Sequence, residues 1–308
     1  MSQFPQSFGP DGRYQLLHLL GEGEGGRVFA ARDTQQDKQL ALKQLTRRRT
    51  PQELERRFAA LSQLKHPNLV ELFSMYSTWE PPFYTMQLVP GVDVVRYIRQ
   101  PSEARFQADN DDELDGNLLL GERSRASSRS VFSAPASGGF ERAREVARQL
   151  CAGLDYTHAH GFIHRDLTRG NIRVTEQHQV VVMDYGLAAE HAPGSPGGPS
   201  PVTPGPTPNE MIGTAAYMAP EQWDTKELSP AVDWYSLGVI LFEGLCGALP
   251  FVGSAHEVLL RKRTVSAPGP SLLLPEIPDD LDAICHGLMI SDPKRRWSGA
   301  RVLARLAG

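Results

Sequence analysis

Cysteine is scarce in this chain: Cys151, Cys246 and Cys285 are the only 3 in 308 residues, and no two of them form a C-x-x-C pair. That excludes a disulfide framework and a zinc knuckle, and it points to reduced thiols in a cytoplasmic protein. Long hydrophobic runs are missing as well. The most apolar stretch, 237–246, is broken by Glu243 and is far shorter than the ~20 residues that span a bilayer. The N-terminus places no basic segment ahead of an apolar one, so neither a secretory signal nor a membrane segment is read. An excess of one charge is also lacking. Lys plus Arg number 32 and Asp plus Glu 36, a net charge of −4, which argues against nucleic acid as a partner.

What is present is ordinary globular usage, 40% hydrophobic and 22% charged over 308 residues, enough for one large domain or two lobes with separate cores. Residues 1–12, rich in Pro, Gly, Ser and Gln, predict a flexible tail. Short apolar runs at 14–20, 27–32, 40–45, 69–76 and 83–89 predict strands. Between them Pro51, Leu54, Phe58, Leu61 and Leu64 recur at helical spacing up to His66 and Pro67. The first lobe, 13–89, is therefore expected to be a small sheet with one helix. In the second, 90–308, helices are predicted at 141–160, 231–246, 281–290 and 298–306. Two segments resist packing. Residues 101–139 run from acidic to Ser/Arg-rich, and 191–208 are Pro/Gly-rich, so both are expected to be mobile insertions.

Gly21-Glu22-Gly23-Glu24-Gly25-Gly26-Arg27-Val28 fits G-x-G-x-x-G-x-V, in which absent side chains let backbone N–H groups approach a phosphate chain. A dinucleotide-binding loop shares those glycines but opens a helix, whereas 28–31 here reads as a strand. Behind the glycines come, in order, Ala41-Leu42-Lys43, His164-Arg165-Asp166, Asn171, Asp184-Tyr185-Gly186 and Ala219-Pro220-Glu221. On these residues the chain resembles the protein kinase superfamily, most closely the bacterial Hanks-type serine/threonine kinases. The resemblance runs from about Tyr14 to Leu306 and implies an α+β, bilobal fold: a small antiparallel sheet lobe with one helix, and a larger mainly helical lobe.

The resemblance implies ATP with Mg²⁺ or Mn²⁺ as cofactors and a protein Ser or Thr hydroxyl as acceptor. It makes Asp166 the base, with Lys43 and Asn171 beside it in catalysis and Asn171 and Asp184 as metal ligands. The nucleotide would lie against Leu20, Gly21, Glu22, Gly23, Gly26, Val28, Ala41, Lys43, Met86, Gln87, Val89 and Arg173. Glu221 with Arg296, and Asp233, match scaffold positions. The chain could be a domain of a longer regulatory protein.

Three positions depart from the family. Arg57 stands where a helix Glu would clamp Lys43, with Glu53 one turn earlier as a substitute. Thr168 replaces a Lys that neutralises the transferring phosphoryl, a loss that Arg169 could offset if it reached. Arg173 replaces an apolar residue under adenine, though its stem could cover the ring. An active kinase is the first reading and a pseudokinase the alternative. Arg165 implies control by phosphate on the activation segment, with Glu210 as a permanent charge there and Thr203, Thr207 and Thr214 as further regulatory positions.

Overall fold

The structure is a computed structural model that describes residues 7–23, 25–46, 49–101, 132–184, 189–190, 215–223 and 228–308. The chain divides into two compact units, Met1–Pro90 and Gly91–Gly308.

In the first unit, strands β1 (Tyr14–Gly23), β2 (Gly26–Asp33), β3 (Lys38–Leu45), β4 (Leu72–Tyr76) and β5 (Phe83–Met86) form an antiparallel sheet in the order β1-β2-β3-β5-β4. Strand alternation sorts its two faces. Phe29, Leu40, Leu42 and Phe83 join Tyr14, Leu16 and Ala31 in an apolar core, to which Phe8, Phe73 and Tyr76 add. Tyr76 stacks on Phe83 at 4.4 Å, and the Tyr14 and Tyr76 hydroxyls meet at 2.8 Å. Burying one side chain such as Leu42 contributes about 1.5–3 kcal/mol.

Helix α1 (Pro51–Leu61) begins on Thr50, whose hydroxyl accepts from the Glu53 N–H while the Glu53 carboxylate accepts from the Thr50 N–H; Pro51 needs no partner at the first position. Its Phe58 packs at 6.0 Å from Tyr84, a residue of the face opposite the aromatic core. Leu64 lies past the helix end yet is buried. The expected flexible tail is corrected for residues 7–12. Phe8 bridges to Tyr14 and packs against Phe83 at 5.0 Å, because one aromatic side chain can anchor a Pro/Gly-rich segment on an apolar core.

The second unit carries β6 (Val92–Asp93), α2 (Val94–Arg99), α3 (Gly139–Ala159), β7 (Phe162–Ile163), β8 (Ile172–Val174), β9 (Val180–Val182), β10 (Ala189–Glu190), α4 (Ala231–Cys246), α5 (Ala255–Thr264), α6 (Pro270–Leu273), α7 (Asp279–Leu288) and α8 (Gly299–Ala307). Strands β6, β8 and β9 form one small sheet, and β7 pairs with β10. Helix α4 is buried from Val232 to Cys246 and packs on α2, α3 and α7. All three cysteines are free and buried, Cys151 in α3, Cys246 in α4 and Cys285 in α7. Part of the expected insertion 101–139 is also fixed. Ser133 donates to the Cys246 carbonyl at 3.0 Å, and Arg142 caps the end of α2 through the carbonyls of Tyr97, Ile98 and Gln100. The expected insertions at 102–131 and 191–208 lie outside the described residues.

Candidate active site

Each unit contributes its own group of the residues singled out in the sequence. In the first, the β1–β2 turn sets Gly21 opposite Val28, Glu22 opposite Arg27 and Gly23 opposite Gly26. Gly26 has φ 124°, and a Cβ there would lie 1.7 Å from the Gln44 carbonyl oxygen, so a side chain is excluded. At Gly25 a Cβ would come within 3.2 Å of the Lys43 Nζ, so the missing side chain keeps the space beside that ammonium open.

Register places Lys43 between Val28 and Tyr84, and Ala41 between Ala30 and Met86. Val28, Ala41, Lys43 and Met86 therefore share the face away from the aromatic core, with Lys43 only 3% exposed. Leu20 is exposed on β1. Beyond β5, Gln87 donates its N–H to the Glu71 carbonyl at 2.8 Å. Among the described residues the Gln87 carbonyl and the Val89 N–H make no backbone hydrogen bond. On α1, Glu53 is occupied by the cap, which gives it a local role, and Arg57 is half-buried.

In the second unit one carboxylate organises the loop around Asp166. Asp233, fully buried near the start of α4, accepts from the His164 N–H at 2.9 Å, the Arg165 N–H at 2.8 Å and the His158 ring at 2.8 Å. Burial alone opposes ionisation; the bond from His158, together with His164 and the Arg165 N–H, outweighs it and holds the Asp233 pKa below the usual carboxylate range. The His164 ring meets the Met183 carbonyl at 2.9 Å, tying this loop to the chain just before Asp184. Asn171 donates through Nδ2 to the Asp166 carbonyl at 2.8 Å, so its side-chain oxygen faces elsewhere. Arg165 and Asp184 have φ of 68° and 57°, left-handed values that cost about 1–3 kcal/mol and collect at functional positions. Burial draws the Arg165 pKa below the usual guanidinium value, and its Nε has no hydrogen-bond partner among the described residues.

The Arg169 side chain is engaged inside the second unit. Its guanidinium pairs with Glu243 at 2.9 Å and Asp93 at 3.1 Å, and the other Glu243 oxygen accepts from the Tyr217 hydroxyl at 2.6 Å. Burial works against that charge, but the two carboxylates outweigh it and raise the Arg169 pKa. Arg173 alternates with buried Ile172 and Val174 and donates to the Gly91 carbonyl at 3.3 Å. Arg296 and Glu221 form a two-pronged pair at 2.6 and 3.0 Å, and Arg296 also reaches the Ala231, Ile290 and Ser291 carbonyls. Thr203, Thr207, Glu210 and Thr214 lie outside the described residues.

Sequence reasoning missed Asp93, Tyr217 and Glu243. The available signal was Glu243 itself, a charge inside an otherwise apolar helix, which at helical spacing demands a buried partner.

Comparison with known proteins bears on the whole chain. It is similar to the DNA damage-responsive serine/threonine-protein kinase RqkA of Deinococcus radiodurans, 30% identical over 302 residues, which are 96% of this chain and 39% of that protein. A probable serine/threonine-protein kinase of Streptomyces coelicolor is 29% identical over 302 residues, 94% of this chain and 38% of its own length. Serine/threonine-protein kinase PknD of Mycobacterium tuberculosis is 29% identical over 309 residues, 98% of this chain and 40% of its own. The chain thus spans about two fifths of the length of these relatives. The family model for the protein kinase domain matches residues 14–306, and the chain belongs to that family.

Proposed function

We propose that this chain is a serine/threonine protein kinase that transfers the γ-phosphoryl of ATP to a protein hydroxyl with the help of a divalent cation. The observation that carries the reading is the loop from His164 to Asn171. Its backbone ends on a buried carboxylate, and Asn171 is braced against Asp166, so one carboxylate and one amide oxygen are held ready in a rigid frame. Asp166 takes the proton of the acceptor hydroxyl as its oxygen bonds to the γ-phosphorus and the bond to the ADP oxygen breaks.

The residues suit such a ligand. A phosphate chain would lie beside the Lys43 ammonium, next to which Gly25 carries no side chain. Among the described residues no group of three or more His, Cys, Asp or Glu could hold a metal ion, so the cation would rest on Asn171 and Asp184 together with phosphate oxygens. When bound, it neutralises charge on the phosphates. Adenine would lie against Val28, Ala41 and Met86, and would bond the Gln87 carbonyl and the Val89 N–H. Leu20, Gly21, Glu22, Gly23 and Gly26 would cover the phosphates. No helix among the described residues is long and apolar enough to cross a membrane, and the cytoplasm is the proposed location.

A pseudokinase is the second reading. It is favoured by Arg169 being engaged with Asp93 and Glu243, which leaves the charge missing at Thr168 without a substitute from that side chain. Radiolabelled autophosphorylation beside an Asp166→Asn control decides between them: label in the wild type that vanishes in the variant supports the kinase, and no label in either supports the pseudokinase. Arg165 with Glu210 remains the proposed switch, and Thr203, Thr207 and Thr214 its other candidate positions.

A further inference from the structure

Lys262, on α5, is 1% exposed and belongs to none of the groups described so far. Its ammonium donates to the carbonyls of Ala215 at 2.9 Å, Ala216 at 2.6 Å and Met218 at 2.7 Å. The one carbonyl it omits, that of Tyr217, accepts from the Ser236 hydroxyl of α4 at 3.0 Å. Four successive carbonyls are thus turned inward onto side chains of two helices. Three acceptors converging on one point suit a compact ammonium with three N–H groups better than a planar guanidinium. Ala255 and Leu259 pack against the same segment, and the Tyr235 ring lies 5.1 Å from the Nζ.

The segment is also bolted to the catalytic loop on both sides of Asp166. Gln222 accepts from the Ala219 N–H and donates to the Arg165 carbonyl, both at 2.9 Å. Tyr217 reaches Arg169 through Glu243. These bonds hold 215–218 beside the loop that carries Asp166.

We propose that Lys262 is a positioning residue for the protein substrate: by holding the carbonyls of 215–218 inward, it shapes the surface on which the chain around the acceptor hydroxyl rests. The inference rests on the kinase reading for its assay but not for its binding arm.

The test uses the full chain with dephosphorylated casein, measuring casein affinity by fluorescence polarisation, steady-state phosphorylation, and a thermal melt. Lys262→Met is expected to raise the KM and Kd for casein about tenfold while the KM for ATP stays within about twofold; Lys262→Arg recovers part of the loss, and Ser236→Ala gives a smaller rise of about threefold. Unchanged casein KM and Kd in a folded Lys262→Met chain, or casein and ATP constants worsening together, overturns the proposal. Should Lys262→Met fail to melt cooperatively, Ser236→Ala decides, and an unchanged casein constant in it overturns the proposal. A wild type that binds casein without phosphorylating it defeats the kinase reading alone, and the Kd comparison still judges Lys262. A wild type that does not bind casein overturns the inference.

Discussion

The glycine turn of the first unit and the Asp166 loop of the second are built by opposite means. The turn is shaped by what is left out. Gly25 and Gly26 make room by having no Cβ, and the Glu22–Arg27 ion pair across the turn is exposed on both sides, a kind of contact worth about 0–1 kcal/mol. The loop is shaped by what is put in. Asp233 and Glu243 are buried charges, each hydrogen-bonded by more than one partner, and removing one partner of such a set costs about 3–5 kcal/mol. A turn with few buried contacts opens at little cost, whereas a loop fixed by buried charge does not. The first suits a cover that must admit and release a ligand, and the second suits a frame for chemistry.

The sharpest break is in activity. Lys43→Met from the first unit and Asp184→Asn from the second are each expected to cut phosphoryl transfer by about 10²–10³-fold, since on the proposed reading Lys43 would meet the phosphates and Asp184 would hold the cation that neutralises them. Wild-type turnover in either, measured with labelled ATP, would reject the assignment. Next comes Asp233→Asn. An amide offers an acceptor on one side only, so at least one of the three donors facing it would meet an NH₂ group, and a loss of about 3–5 kcal/mol in urea unfolding of the second unit is expected.

Within the turn, Gly26→Ala should cost about 1–3 kcal/mol from backbone strain alone, with the clash against the Gln44 carbonyl added, while Gly23→Ala has open space and should be nearly silent. Equal melting points for the two variants would show that the turn relaxes around any side chain.

Acid and salt separate the units further. Asp33 is held below its usual pKa chiefly by the Arg13 guanidinium, as Asp233 is by its buried donors. Both folded values lie below the unfolded one, so the stability they provide is complete above the ordinary carboxylate value of 3.8 and is lost as pH falls through the folded values. Arg13 is partly exposed and Asp233 is not, so about 1 M salt should weaken the first contribution and spare the second, as read by acid titration of the unfolding midpoint. The smallest effect is expected from Arg57→Glu, a gain of a few-fold in turnover if a carboxylate on α1 can order Lys43. No gain would mean that Lys43 is already held.

Legibility followed distance along the chain. The face that gathers Val28, Ala41, Lys43 and Met86 follows from strand alternation, and Asp166 and Asn171 stand close enough in sequence to be read as one loop. The partners of Arg169 do not, since Asp93 and Glu243 lie 76 and 74 residues from it and only folding brings them together. Lys262 left a faint trace. Ala255, Val258, Leu259 and Lys262 fall on one buried stripe of α5, so a Lys occupied an apolar position, but the arginines beside it obscured the helix. Composition misled at residues 7–12 and 132–139, where one Phe and a few backbone hydrogen bonds anchor segments that Pro, Gly and Ser suggested were loose.

The placement of the cysteines gives the molecule a built-in reporter. All three lie in Gly91–Gly308, and Met1–Pro90 has none, whereas Trp79 is the one tryptophan of the first unit. The thiols are buried, and that burial raises the pKa of each, Cys246 to about 12, so the native protein presents almost no thiolate. Alkylation of native protein is therefore a clock for the opening of the second unit alone, while Trp79 tracks the first in a variant whose Trp223, Trp234 and Trp297 are replaced by Phe. One sample can show which half of a kinase domain lets go first.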